Sequence, residues 1–290
     1  MRLVTMIAPD HSQRCGLLLG EHVVAIDEVA PDLGALSVRE LLRSGRLREL
    51  AARCALIRPD MGRPLSSVHL GPPIPDPSKI IAVGLNYRGH AEEQGKPWPE
   101  APMLFSIAPS ALCGPRDAIV LPVDSSAVDF EVELVAVIGQ RCKGVSRDQA
   151  MGVIAGYLVA NDVSERRWQK QDGQFYRAKS ADSFFPCGPA LVTADEVADY
   201  RELLLTTTIN DQEYQRALAS DLIHDLPALI SYISRDQTLE PGDLISTGTP
   251  AGVGCYRQPP RFLQAGDLVC CAIDGLGSLE NPVRAGAAHP

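Results

Sequence analysis

Three acids at alternate positions, Asp129, Glu131 and Glu133 in 127-AVDFEVELVAVIG-139, are the first residues whose spacing suggests chemistry. A period of two is one face of a β-strand, so the acids share a face and Val128, Phe130, Val132 and Leu134 share the other. From Leu134 to Ile138 the run is wholly apolar, which reads as a strand buried on both faces. Acids at the mouth of such a strand repel one another and call for a positive partner. A solvated strand face beside lysines is the plainer reading of the same spacing. A second apolar strand, in 156-GYLVANDVSERRWQ-169, ends in Asn161-Asp162. Alone, Asp162 or Ser164 reads as a helix N-cap. Beside the E-x-E pair, Asp162 completes three converging carboxylates. Oxygen-only ligation suits a hard divalent cation with open positions: Mg²⁺ or Mn²⁺, with Ca²⁺ also accommodated. Zinc would want His or Cys ligands, and none lies at suitable spacing.

His90 and Glu93 fall three apart in 82-AVGLNYRGHAEEQG-95. On a helical turn that spacing lets the carboxylate orient the imidazole, the arrangement of a general base. An exposed polar helix face is the alternative.

These residues need elements to hold them. The clearest seam is 71-GPPIPDPS-78, whose prolines impose a stiff, non-helical connection. It divides the chain into a small N-terminal domain, residues 1–73, and a main domain, 74–290. Before the seam, strands are expected at 2–7, 15–19 and 22–26, then a helix opened by the capping box Ser37-Val-Arg-Glu40. After it, strands are expected at 79–84, 103–106, 118–121, 130–138, 155–162, 188–193, 203–210, 243–247 and 267–274. Helices are expected at about 88–95, 146–152, 163–170 and 225–235, the last with Pro227 in its first turn. Many strands without a βαβ rhythm indicate an α+β, β-rich roll. The glycines of TGTPAGVG fit no nucleotide-binding spacing.

Composition narrows the partners. At 290 residues, with a net charge of −9, the chain is a poor match for nucleic acid or an anionic membrane. No apolar run approaches the ~20 residues of a membrane span, and MRLVTMIAPD lacks a signal-peptide core. The eight scattered cysteines read as reduced side chains of a cytoplasmic protein, with Cys270 and Cys271 on opposite strand faces.

From Lys79 to Gly277 the segments IAVGLNYRGHAEE, DFEVELVAVIGQRCKGV, GYLVANDVSERRWQ, RAKSADSFFPCGP and PGDLISTGTPAGVG, in this order, resemble the fumarylacetoacetate hydrolase family in its compact bacterial form. The resemblance implies a homodimeric β-rich roll with Glu131, Glu133 and Asp162 as ligands of Mg²⁺ or Mn²⁺, and His90–Glu93 as a catalytic dyad on a lid. It implies Lys179 as a third catalytic residue, and Gln169 and Thr249 as substrate or water contacts. Tyr87 is counted among the substrate contacts. One departure stands out: where the family commonly has lysine after P-x-x-F, this chain has Ile107, which suggests a less charged substrate end. Gly89 also replaces a residue that is often Asp, which would loosen the lid.

The stretches DVSERRWQ and PPRFLQAGD look closest to members acting on 2,4-dioxo acids. The expected activity is hydrolysis of a C–C bond in an acylpyruvate through a metal-stabilised enolate, with His90 activating water for attack at C4. The same centre suits a tautomerase or isomerase, a decarboxylase of a 2-oxo acid, or a hydratase. A member that binds without catalysis is the reading from another class.

Overall fold

The structure, a computed structural model, describes residues 1–34, 37–54 and 56–287. The chain begins with a meander, β1 (Arg2–Ile7), β2 (Gln13–Leu19) and β3 (His22–Ala25), followed by helix α1 (Val38–Arg43). Ser37 caps α1 by accepting from the Glu40 amide, while the Glu40 carboxylate returns to the Ser37 amide, the expected reciprocal box. Past the seam come β4 (Ile80–Gly84), α2 (Arg88–Glu93), β5 (Met103–Ile107), β6 (Val132–Ile138), β7 (Ile154–Asn161), α3 (Arg166–Asp172) and α4 (Tyr176–Lys179). The chain ends with β8 (Phe185–Thr193), β9 (Leu204–Ile209), β10 (Gln212–Leu218), α5 (Leu226–Asp236), β11 (Leu244–Ser246), β12 (Leu268–Ile273) and β13 (Gly277–Ala285).

A large sheet runs in the order Arg63–Pro64, β3, β2, β1, β8, β7, β6, β11, β4, β5. A second runs β10, β9, β12, β13, Ile119–Leu121. Leu134, Leu158, Leu205, Ile273 and Leu279 belong to one apolar cluster, so the two sheets share a core. This is the β-rich α+β arrangement that the strand pattern predicts. The seam does not interrupt the sheet: β1 pairs antiparallel with β8, Leu3 opposite Leu191. Buried Thr5 also donates to the Pro73 carbonyl at 3.0 Å.

Two local departures build the site. The acidic strand is not continuous from residue 130. Val128–Asp129 pairs with Ser164–Glu165, and β6 starts only at Val132. At the break, the Asp129 carboxylate accepts from the Phe130 amide and Asn161 Oδ1 from the Glu131 amide, each at 2.9 Å, so side chains replace the ladder. The helix expected from residue 163 starts at Arg166, and its cap is Glu165, which accepts from the Trp168 amide at 2.5 Å. Neither Asp162 nor Ser164 serves as the cap, which leaves Asp162 to the site.

Strands β10 and β13 escape the apolar pattern because QEYQRAL is polar and GSLENPVRA carries a proline. The β9–β10 hairpin does have a turn signal: Asn210 and Asp211 sit at φ 50° and 65° between paired Ile209 and Gln212.

Candidate active site

Glu131 precedes β6, Glu133 lies within it, and Asp162 follows β7, whose Asn161 pairs with Val132. That register brings all three carboxylates to one end of a strand pair, with oxygens within 4.8 Å of one another. All three are buried. The positive partner is Lys179 at the end of α4, whose Nζ donates to Glu131 Oε2 at 2.8 Å, Asp162 Oδ2 at 2.6 Å and Ser164 Oγ at 2.8 Å. Arg166 donates to Glu131 Oε1 at 2.5 Å and, through Nε, to Asp129 Oδ2 at 2.8 Å. Asp129, expected on the same face, is thus taken up by Arg166.

Burial would raise the Glu131 carboxyl, but the charges of Lys179 and Arg166 override it and hold the group at about 2. Glu133 is pushed well above the usual range by burial, then by Asp162 and Glu131. Burial pushes Asp162 up to about 6, with Lys179 opposing. Burial works against the Lys179 ammonium, yet Asp162 and Glu131 keep its value raised. With all its acids ionised the floor would carry more negative charge than Lys179 and Arg166 neutralise, and Glu133 and Asp162 are raised accordingly. Asp162 Oδ1 is buried and lacks a hydrogen-bond partner among the described residues. An orphaned carboxylate oxygen among three buried acids is the donor set a hard divalent cation would satisfy, so the residues present fit one.

The glycine-rich loop after β11 finds its role here as an amide clamp. Gly248 N–H donates to Glu133 Oε2 at 3.0 Å, and Ser246 Oγ donates to the same oxygen at 2.5 Å. Gly252 N–H donates to Glu93 Oε2 at 2.9 Å. Gly254 and Cys255 N–H donate to Asp129 at 2.7 and 3.0 Å. At Gly252, φ is +105° and an added Cβ would lie 2.1 Å from the Tyr214 carbonyl oxygen, so glycine is required. Thr249 Oγ1 donates to the Val132 carbonyl at 2.9 Å and accepts from Gln215 Nε2 at 2.8 Å. Gln215, which the sequence reading missed, also accepts from the Val132 amide at 3.1 Å.

Helix α2 carries the dyad over this floor. His90 Nδ1 lies 2.5 Å from Glu93 Oε1, and Gln94 Nε2 lies 2.8 Å from His90 Nε2. With the Gln94 amide donating, Nδ1 carries the proton and Nε2 is the basic atom. Leu85, just before α2, is held at φ 54°, and Asn86 bonds both backbone groups of His224, so the entry to the helix is braced. Gly89 N–H donates to Asp221 Oδ2 at 3.1 Å.

A cavity of about 740 Å³ opens between lid and floor; His90, Glu131, Glu133, Gln169, Lys179 and Thr249 all line it. Two sequence expectations fail here. Tyr87 and Ile107 are wholly buried and lie outside the cavity lining. Tyr87 precedes α2 as its cap residue, and burial pushes its phenol upward. Ile107 sits opposite Ile80 in the β4–β5 pair and packs into the core. An apolar residue at that place therefore does not strip the cavity of charge, since Lys96 and Lys170 line it instead. The signal for Lys170 was its spacing, since Arg166, Gln169 and Lys170 fall on one face of α3.

Fold and site together define an enzyme class in which a β-rich roll buries a carboxylate triad beneath a histidine-bearing helix. The chain belongs to the fumarylacetoacetate hydrolase family: residues 79–284 match the model described as fumarylacetoacetate (FAA) hydrolase C-terminal. It is 41% identical over 288 residues to the mitochondrial oxaloacetate tautomerase of Xenopus laevis, covering 98% of this chain and 90% of that protein. It resembles the 5-carboxymethyl-2-hydroxymuconate delta-isomerase of Mycobacterium smegmatis at TM-score 0.77 and 37% identity, covering 99% of this chain and 100% of that one. The maleylpyruvate hydrolase of Sphingobium sp. SYK-6, solved with manganese(II) and pyruvate, aligns at TM-score 0.80 and 32% identity with the same coverage.

Proposed function

We propose that this protein tautomerises a 2-oxo acid of the oxaloacetate type, moving a proton between C3 and the C2 oxygen as keto and enol forms interconvert. The observation that carries this reading is the dyad: Glu93, pinned by Gly252 N–H, holds His90 Nδ1, so the basic nitrogen at the cavity wall is Nε2, whose lone pair Gln94 Nε2 holds until substrate displaces that amide. Proton transfer at the carbon beside a ketone needs one positioned base and stabilisation of the enolate oxygen. A divalent cation held by Glu131, Glu133 and Asp162 would supply Lewis-acid stabilisation of that oxygen. Lys179, donating to Glu131 and Asp162, keeps their oxygens oriented and would place a positive charge beside the oxo group. Gln169 and Thr249, which both line the cavity, are the substrate hydrogen-bonders in this reading. The extent of identity to the Xenopus laevis tautomerase supports tautomerisation over the hydrolysis first expected.

Hydrolysis of an acylpyruvate is the second reading, favoured by the likeness to the maleylpyruvate hydrolase. There His90 would deprotonate water. The two separate in one experiment, with the protein loaded with Mn²⁺. Faster decay of the enol absorbance of oxaloacetate, with acylpyruvate left uncleaved, supports tautomerisation. Cleavage of acylpyruvate without any effect on the enol overturns it.

A further inference from the structure

We infer that Gln215 is a positioning residue of the carboxylate floor: through the backbone of Val132 it fixes how Glu131 and Glu133 present their carboxylates. This rests on the reading of Glu131, Glu133 and Asp162 as the set that would hold a divalent cation, whatever reaction follows. Gln215 stands on β10, in the second sheet, wholly buried and outside the cavity lining. Its amide uses its full hydrogen-bonding capacity. Oε1 accepts from the Val132 N–H at 3.1 Å and from Thr207 Oγ1, opposite it on β9, at 2.9 Å. Nε2 donates to Thr249 Oγ1 at 2.8 Å and to the Pro250 carbonyl at 2.9 Å. Turned over, the amide would set an N–H against the Val132 N–H and an oxygen against the Pro250 carbonyl, so one orientation alone satisfies its partners.

Thr249 closes a ring, since its hydroxyl accepts from Gln215 and donates to the Val132 carbonyl at 2.9 Å. The Val132 N–H belongs to the peptide that joins it to Glu131, and its C=O to the peptide that joins it to Glu133. Both peptide planes are therefore held by one buried pair of side chains. Sheet order explains why side chains are needed there. Glu131 turns its backbone towards β7, its N–H to Asn161 Oδ1 and its carbonyl to the Asp162 N–H, so Val132 turns to the other edge. On that edge β11 pairs with β6 only at Val135–Val137 and ends at Ser246, and Thr247 N–H reaches the Leu134 carbonyl. At Val132 the ring of Gln215 and Thr249 takes the place of a partner strand. Buried backbone groups are costly to leave unbonded, so the floor segment keeps this geometry only while the ring is closed. Carboxylate oxygens that lie within 4.8 Å of one another depend on that geometry.

The test is calorimetric titration of the full chain with Mn²⁺, without substrate, in Gln215→Met, Thr249→Val and Thr207→Val. Gln215→Met keeps the length of the side chain and loses its hydrogen bonds; Mn²⁺ affinity should fall about tenfold, with an altered manganese EPR spectrum. Thr249→Val, which frees the Val132 carbonyl, should weaken binding in the same direction, and it decides the matter if Gln215→Met does not fold. Thr207→Val removes a bond to the same Oε1 from the side away from Val132. It should lower the melting temperature and leave Mn²⁺ affinity within about twofold, which separates positioning from general loss of stability. Wild-type Mn²⁺ affinity in folded Gln215→Met, or in Thr249→Val, overturns the inference, and so does an equal loss in Thr207→Val. If the unaltered chain binds no Mn²⁺, the metal reading fails by itself and amide exchange decides. Exchange of the Val132 N–H about tenfold faster in Gln215→Met, with Leu134 unchanged, supports the positioning role, and equal protection overturns it.

Discussion

The floor and the lid of this cavity are built by opposite means. The floor acids stand on or beside β6 and β7, strands in the middle of a continuous sheet whose residues are buried on both faces. The lid is a six-residue helix, too short to be stable alone. It is held by Asn86 on the chain at His224, by Gly89 on Asp221 and by Glu93 on Gly252. The comparison teaches that charge is concentrated on the central strands of the sheet, while the proposed base rides on an element that a few polar contacts position. Substitutions in the floor should therefore disturb binding and folding together, whereas lid substitutions should affect turnover alone.

The sharpest break of that contrast is Glu131→Ala. It removes one proposed metal ligand and leaves Lys179 and Arg166 each short of a buried partner, a loss of about 3–5 kcal/mol. Calorimetric titration with Mn²⁺ should show no binding, and denaturant unfolding should show the destabilisation; retained metal affinity would refute the floor assignment. His90→Ala comes next: turnover should fall at least ~10²-fold with Mn²⁺ affinity unchanged, and full activity would refute the dyad. Glu93→Gln should be milder, about tenfold in kcat, since it loosens the orientation of His90 without removing the base.

The smallest effect is on pH dependence. An acid raised in the folded state stabilises the fold below its unfolded value, and that contribution is lost as pH rises through the folded value. For Asp162 the window runs from 3.8 to about 6, and Glu133 extends it upward. Glu131 acts in the opposite sense, its contribution being lost as pH falls from 4.5 towards about 2. Metal-free protein should lose a few degrees of melting temperature as pH rises through this upper window, and Mn²⁺ should abolish the decline. Scanning calorimetry over a pH series, with and without the ion, checks this.

Much of the floor was legible because period-two alternation and an apolar strand ending in Asp162 are local signals. The dyad was legible for the same reason, three residues on one turn. What remained hidden depended on partners distant in the chain. Glycine spacing in TGTPAGVG could be compared with nucleotide loops, but nothing local indicates that its amides serve Glu93, Asp129 and Glu133. Tyr87 and Ile107 lie close in sequence to cavity residues, yet packing turns both into the core. Gln215 sits on a polar edge strand that the apolar pattern passes over, although it fixes Thr249.

The pairing of β1 with β8 has a practical consequence for anyone trimming this protein. Residues 79–284 carry every proposed ligand and base, but excising them would uncover β8 at Leu191 and Val192, the positions where β1 pairs with it. A bare strand margin recruits neighbouring molecules, so the shortened chain should aggregate more readily than the intact one. The region that identifies the relatives therefore stops short of the strand that pairs with this end of β8.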